Sequence, residues 1–252
     1  MNLITHNLNS EQLKAVESLE GPLLILAGAG SGKTRVLTHR IANLIVQGLA
    51  EPQNILAVTF TNKAAKEMRE RALSLLHKLG IYPKQPPHIA TFHSFCVQVL
   101  RSYIHILEYN PNFTIYDRAD QLSLIKKIFK QLNLDSKTYS AQSFLSTINT
   151  SKIYGVTPED LMKEAVHTID KRMAEVYRLY EDQMKNANAL DFDDLLLKTI
   201  LIFEKSPDVL DFYQTELKYI LVDEYQDTSV VQYKLIQLLS KKHRNLCAVG
   251  DE

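Results

Sequence analysis

The sequence predicts an α/β protein: a parallel sheet into which a long, mainly helical stretch is inserted. Three observations carry that prediction. Five short apolar runs, Leu23–Ala27, Ile55–Val58, Ile89–Ala90, Tyr219–Val222 and Leu246–Val249, are continuous rather than alternating, as strands buried on both faces of a parallel sheet are. Helical stripes fall between most of these runs, and alternation of strand and helix marks an α/β domain. Between the third and fourth runs lie about 125 residues (93–217) of helical periodicity with little strand character, far beyond an ordinary connection of a few residues.

Composition agrees. The 252 residues hold 29 Lys and Arg against 29 Asp and Glu, with 45% hydrophobic and 23% charged residues, which excludes a disordered tail or a coiled-coil rod. With no net charge, any nucleic-acid partner must use a local patch rather than a global field. Two cysteines, Cys96 and Cys247, provide neither a disulfide framework nor a zinc module, and both fall in apolar patterns as inert core residues. Met1–Asn7 has no basic or apolar leader, and no apolar run approaches the ~20 residues of a membrane span. The expectation is a soluble, cytoplasmic protein with no membrane partner.

Taken in order, the first strand, Leu23–Ala27, runs into Ala27-Gly28-Ala29-Gly30-Ser31-Gly32-Lys33-Thr34, which opens a helix with the stripe Val36, Leu37, Ile41, Leu44 and Ile45. Strand, small-residue loop and helix form the context of a phosphate-binding loop: backbone N–H groups curl around phosphate oxygens at a helix N-terminus. Lys33 would reach the β/γ-phosphates, and the Thr34 hydroxyl would join a Mg²⁺ shell. Ala27 stands where the strict pattern has Gly. The second strand, Ile55–Val58, precedes a helix with the stripe Met68, Ala72, Leu75, Leu76 and Leu79. In the insertion, Leu122, Ile125, Ile128, Phe129 and Leu132 share one helical face. So do Met173, Val176, Tyr177, Tyr180 and Met184, and again Leu195, Leu196, Ile200 and Phe203. Breaks are expected at Asn110-Pro111-Asn112, Tyr154-Gly155, Thr157-Pro158 and Ser206-Pro207. The fourth strand ends in Asp223-Glu224-Tyr225-Gln226-Asp227, two carboxylates at the carboxyl edge of a parallel sheet, where such folds bind ligands. Asp223 would hold Mg²⁺ through water and Glu224 would polarise an attacking water. Val231, Leu235, Leu238 and Leu239 mark the helix before the last strand.

The chain resembles the UvrD/Rep/PcrA group of superfamily-1 DNA helicases over nearly its whole length. The blocks that carry the resemblance are Leu8–Gln12, Ala27–Thr34, Thr59–Ala65, Thr91-Phe92-His93, Leu190–Leu196 and Val222–Thr228, in the family's order. Ala27 is usual there. The resemblance implies a RecA-like P-loop NTPase domain from 1–92 plus 218–252, with 93–217 as an inserted helical subdomain above the DNA path and near the duplex. It implies ATP and Mg²⁺ as cofactors, single-stranded DNA and duplex junctions as partners, 3′-to-5′ polarity, and work in DNA repair or replication. Gln12 looks like the glutamine that reads the adenine edge, and Arg35 like a nucleotide-contacting arginine. Gln226 resembles the residue that links the γ-phosphate to the DNA track. Thr59, Phe60, Thr61, Asn62 and Lys63 match one strand-contacting motif, and Thr91, Phe92 and His93 a second.

Chemistry makes these DNA motifs reasonable, with alternatives open. Hydroxyls, an amide and backbone N–H groups after a strand can hold phosphates, and Phe60 and Phe92 offer faces for stacking, worth about 1–3 kcal/mol per base. Phe60 reads equally as core packing, Lys63 and Lys66 as a solvated helix face, and His93 as a structural hydrogen-bonding residue. The chain stops at Val249-Gly250-Asp251-Glu252, inside the family's third motif. The expectation is the first half of a helicase, without the second motor domain that brings the family's arginine finger. Arg35, Arg40 and Arg244 occupy no recognisable finger motif. Two other readings stand beside this one: a module that binds nucleotide or DNA without turnover, and an unrelated P-loop kinase.

Overall fold

Each apolar run read as a strand is one in a computed structural model that describes residues 8–28, 30–135 and 137–251. The strands β1 (Leu23–Leu26), β2 (Ile55–Thr59), β3 (His88–Thr91), β6 (Tyr219–Val222) and β7 (Leu246–Gly250) form one five-stranded parallel sheet in the order β1-β7-β6-β2-β3. The register places Leu24 beside Ala248, Leu221 beside Cys247, and Ala57 between Leu221 and Ile89. Strands β2 and β6 are buried throughout, which accounts for their unbroken apolar sequences.

One face of the sheet is covered by α2 (Lys33–Val46) and α3 (Asn62–Lys78). Leu37, Ile41 and Leu44 of α2 and Ala65, Met68 and Ala72 of α3 pack on Ile55, Ala57, Ile89, Leu221 and Val249. The stripes recur at helical spacing because only one side of each helix meets the sheet. The short α1 (Ser10–Glu17) docks on α2 through buried donors. The Arg40 guanidinium donates to the Ala15 and Leu19 carbonyls at 2.7 and 3.1 Å, and Asn43 donates to the Val16 carbonyl at 3.0 Å. These groups satisfy carbonyls that the end of a helix leaves without intrahelical partners.

The inserted stretch contains α5 (Arg118–Gln131), α6 (Ala141–Ile153), α7 (Pro158–Glu164) and α8 (Thr168–Asn186), preceded by α4 (Phe92–Tyr103) and followed by α9 (Phe192–Lys205). Its core joins Ile125, Ile128 and Phe129 to Phe144, Ile148, Tyr177, Tyr180 and Met184. Three of the four expected breaks are helix caps, and Asn110-Pro111-Asn112 is a turn. Thr157 closes a capping box with Asp160 and Pro158 takes the first helical position, while Gly155 adopts a left-handed φ of 69° after α6. Two short strands, β4 (Thr114–Ile115) and β5 (Ala189–Leu190), pair in parallel within the stretch expected to be mainly helical. Two residues are too few for an alternating or continuous pattern to register.

The chain divides into two compact units: the described residues of Met1–Phe95 with Phe203–Glu252, and Cys96–Ile202. Helix α10 (Pro207–Glu216), which the sequence reading places in the insertion, falls in the first unit beside α11 (Val230–Ser240). There the Gln214 amide donates to the Leu238 carbonyl at 2.6 Å, and Lys242 pairs with Asp211 at 2.6 Å. Periodicity cannot tell which unit a helix packs against. Among the described residues, no helix is long and apolar enough to cross a membrane.

Candidate functional site

The loop after β1 is shaped by its glycines. Gly30 and Gly32 have φ of 77° and 89°, a region that costs an L residue roughly 1–2 kcal/mol. A Cβ on Gly32 would also lie 2.9 Å from the Gln12 amide nitrogen. That amide donates to the Ser31 carbonyl at 2.9 Å, while the Gln12 side-chain oxygen accepts from the Asn9 N–H at 3.2 Å in the capping box of α1. Docking of α1 through Arg40 and Asn43 therefore seats Gln12 against the loop. Ala29, one of the expected loop residues, lies outside the described residues, as do Met1–Asn7 and Glu252.

Lys33 opens α2 and turns back over the loop, donating to the Ala27 carbonyl at 3.1 Å and pairing with the Asp251 carboxylate. The hydrogen bond that Lys33 donates to Asp251 raises the Lys33 pKa against an opposing burial effect, and the charges of Asp251, Glu224 and Asp223 add to the rise. Loop lysine and both acidic residues thus share one electrostatic environment. Thr34 and Arg35 follow in the first turn of α2, both half-buried.

Asp223 follows β6 nearly sealed, 3% exposed. Burial first, and then the Glu224 charge, push its carboxyl up to about 6, against the Glu224 N–H that it accepts at 3.1 Å and the charge of Lys33. Glu224 adopts a left-handed backbone, φ 50° and ψ 47°, a conformation uncommon for a side chain of this kind and concentrated at functional sites. The Gln226 amide donates to the Glu224 carboxylate at 2.9 Å, and its oxygen accepts from the Asp251 N–H at 3.0 Å. Gly250 permits this: a Cβ there would lie 2.9 Å from that amide oxygen. Sequence reasoning gives Asp251 and Gly250 no role. The signal available was the position of both at the end of the strand beside β6.

The residues fit Mg²⁺ on their own chemistry. A buried carboxylate crowded by a second one makes a partial oxygen donor set. No group of three or more His, Cys, Asp or Glu able to hold a metal occurs among the described residues. Mg²⁺ takes such incomplete sites, one or two carboxylates completed by phosphates and water.

The second expected surface divides. Phe60 is half-buried, and Thr61, Asn62 and Lys63 are exposed at the start of α3, where the Thr61 hydroxyl accepts from the Ala64 N–H at 3.1 Å as an N-cap. Thr59 and Thr91 are buried at the ends of β2 and β3, and the Thr91 hydroxyl caps the start of α4 through the Ser94 N–H at 3.1 Å. Phe92, expected as a stacking face, is 2% exposed and packs edge-on against Phe60 with ring centres 6.0 Å apart. It supports the Phe60 ring instead of presenting its own, because the first turn of α4 points it into the core. His93 is half-buried, and burial lowers its pKa. Cys96 and Cys247 are buried, their thiols pushed up to about 12 and about 11, which keeps them unreactive.

Residues 8–252 match the family model described as the UvrD/REP helicase N-terminal domain. The whole chain is 49% identical over 251 residues to the ATP-dependent DNA helicase PcrA of Staphylococcus epidermidis and 48% identical over 251 residues to that of Staphylococcus aureus. It spans 34% of the length of each of these relatives.

Proposed function

The chain belongs to the UvrD/REP helicase family, whose N-terminal domain it carries, and on that premise we propose that it is the nucleotide-binding part of an ATP-dependent DNA helicase or translocase. The observation that carries the proposal is the meeting of Lys33, Asp223 and Glu224 at the carboxyl edge of the sheet, beside a glycine-rich loop at a helix N-terminus, the setting that favours phosphate. Lys33, paired here with Asp251, would turn to the β/γ-phosphates of ATP. Gln12 would read the adenine edge and Arg35 would contact the nucleotide. Asp223 and Thr34 would hold Mg²⁺, which would supply charge to the phosphates.

Glu224 holds the attacking water, and the Gln226 amide fixes the carboxylate that does so. Phosphoryl transfer of this kind is mostly positioning and charge, with little covalent chemistry for the protein. Single-stranded DNA lies along Phe60, Thr61, Asn62 and Lys63. Thr59, Thr91, Phe92 and His93 form the layer beneath, and Phe60 is the stacking ring. In the longer protein a second motor domain, 3′-to-5′ movement, duplex junctions and a role in repair or replication complete the proposal, supported by the family resemblance.

The test is Glu224→Gln in the longer protein. Steady-state ATPase should fall at least about a hundredfold while nucleotide affinity stays within about threefold, since the water loses its carboxylate and the phosphate contacts persist. Full hydrolysis by this variant would remove Glu224 from the role given to it. For the strand surface, Phe60→Ala should weaken oligonucleotide binding by about 1–3 kcal/mol without regard to base sequence. Binding of the wild type should weaken steeply with added salt. Affinity indifferent to both would place the strand elsewhere.

A further inference from the structure

Within the helical unit, a cavity of about 460 Å³ opens between α5 and the start of α6. Leu122, Phe129, Leu134 and Tyr139 give it an apolar lining, and the exposed Lys126 and Lys130 stand at its margin. Leu122, Lys126, Phe129 and Lys130 fall at i, i+4, i+7 and i+8 of α5, one face of the helix.

The walls are fixed. Phe144 holds both rings edge-on, with centres 5.0 Å from Phe129 and 6.0 Å from Tyr139. Asn133 takes a left-handed φ of 53° after α5, and the Leu134 N–H donates to the Phe129 carbonyl at 2.8 Å, which folds Leu134 back over the helix end. The Tyr139 N–H donates to the Asp135 carbonyl at 2.9 Å, tying the loop that carries the ring. Basic side chains outnumber acidic ones around the cavity, where Asp135 of the loop is engaged by the Lys137 N–H and the Thr138 hydroxyl. Lys126, Lys127 and Lys130 crowd the second half of α5, in which no acidic residue occurs. Neither Lys126 nor Lys130 joins an ion pair among the described residues.

We propose that this groove docks a short segment of a partner protein in which a Leu or Phe side chain is flanked by Asp or Glu. The volume is in the range of sites that enclose a ligand group, about 300–1,000 Å³. Burying an apolar anchor against four apolar walls supplies affinity. Two unpaired lysines at the margin select acidic neighbours and repel basic ones. A nucleic-acid backbone would use the lysines and leave the apolar lining unfilled. Phe129, 2% exposed, offers no face for a base to stack on.

The test begins by selecting from a displayed random heptapeptide library on the immobilised chain. Selected peptides, made with a fluorescein label, are then titrated by anisotropy against wild type, the double variant Lys126→Glu/Lys130→Glu, and Leu122→Ala. Both lysines are exposed and unpaired, so circular dichroism of the double variant should match wild type. The expected result is enrichment of Leu or Phe beside Asp or Glu. Charge reversal should then weaken binding at least about tenfold and Leu122→Ala by a few-fold, because the two changes remove separate parts of one contact. The proposal is overturned if no peptide is selected, if the selected peptides lack acidic residues, or if charge reversal leaves affinity unchanged. It is overturned equally if a labelled single-stranded oligonucleotide displaces the peptides and loses binding in the same variant, which would make the face a nucleic-acid surface.

Discussion

At Asp223 a carboxyl group is buried beside a second carboxylate, and its pKa is pushed up to about 6 by burial and then by Glu224. A folded-state pKa above the unfolded value means that the protonated form favours folding. That contribution is full below the ordinary carboxyl pKa and is lost as pH rises through about 6. At pH 8 the ionised group therefore costs the folded chain about 2–3 kcal/mol. Asp223→Asn removes that cost, since the amide oxygen can still accept the Glu224 N–H. Urea denaturation should find the variant more stable than wild type by about that amount at pH 8, with the gap closing as pH falls toward about 4. A gap independent of pH would mean that the carboxyl is not strained by its surroundings. Gly32 sets a second condition at this scale. Its φ of 89° and its approach to Gln12 predict that Gly32→Ala destabilises the chain by about 1–2 kcal/mol. It should also displace Gln12 from the loop, visible as loss of the Gln12 amide cross-peaks to Ser31 by NMR. Unchanged stability and unchanged cross-peaks would show that the loop tolerates a side chain there.

At the scale of elements, the helical unit is pinned by a cation. Lys152 of α6, 7% exposed, pairs with Asp191 at 2.7 Å, Asp194 at 3.1 Å and Glu181 of α8 at 2.9 Å. Asp191 and Asp194 also cap the first turn of α9, each accepting the other's N–H, and the Tyr180 hydroxyl donates to Asp191 at 3.0 Å. Removing one partner of such a buried group leaves charges uncompensated, at a cost of about 3–5 kcal/mol. Lys152→Met should lower stability by that amount in equilibrium denaturation, and a loss below about 1 kcal/mol would show the cluster to be well solvated. The block Leu190–Leu196 was visible in the sequence, but its partner Lys152 was not. It lies far away in the chain on a helix whose stripe gives no hint of a buried cation. The same limit explains the rest of the comparison. Strands β1, β2, β3, β6 and β7 and the main helices were readable because burial on a sheet or on one helix face leaves a period. The loop and the two acidic residues were readable because their chemistry demands contiguous residues. The pairing of β4 with β5, the packing of α10 with α11, the burial of Phe92 and the Gln226 bridge between Glu224 and Asp251 depend on which distant segments meet. No local pattern records that.

For the molecule as a whole, the sheet has one poorly covered margin. Along β1, Leu23 and Ile25 pack into the core while Leu24 and Leu26 are 55% and 54% exposed, and β1 is an edge strand. Open strand edges carrying apolar side chains favour association. Light scattering of the chain alone should therefore rise with concentration, and Leu24→Lys with Leu26→Glu should suppress the rise. Equal scattering by both would show that the edge is not adhesive. The central claim concerns the loop that follows that strand, proposed together with Lys33 and two carboxylates as one site for ATP with Mg²⁺. Its most direct test is a titration of the chain with a fluorescent ATP analogue in the presence of Mg²⁺, repeated with Lys33→Ala. The account predicts saturable binding by wild type. It also predicts that Lys33→Ala, folded by circular dichroism, weakens that binding at least about tenfold, the loss expected when a charge-assisted contact worth about 1.5–3 kcal/mol is removed. Equal affinity in the two proteins would contradict the account.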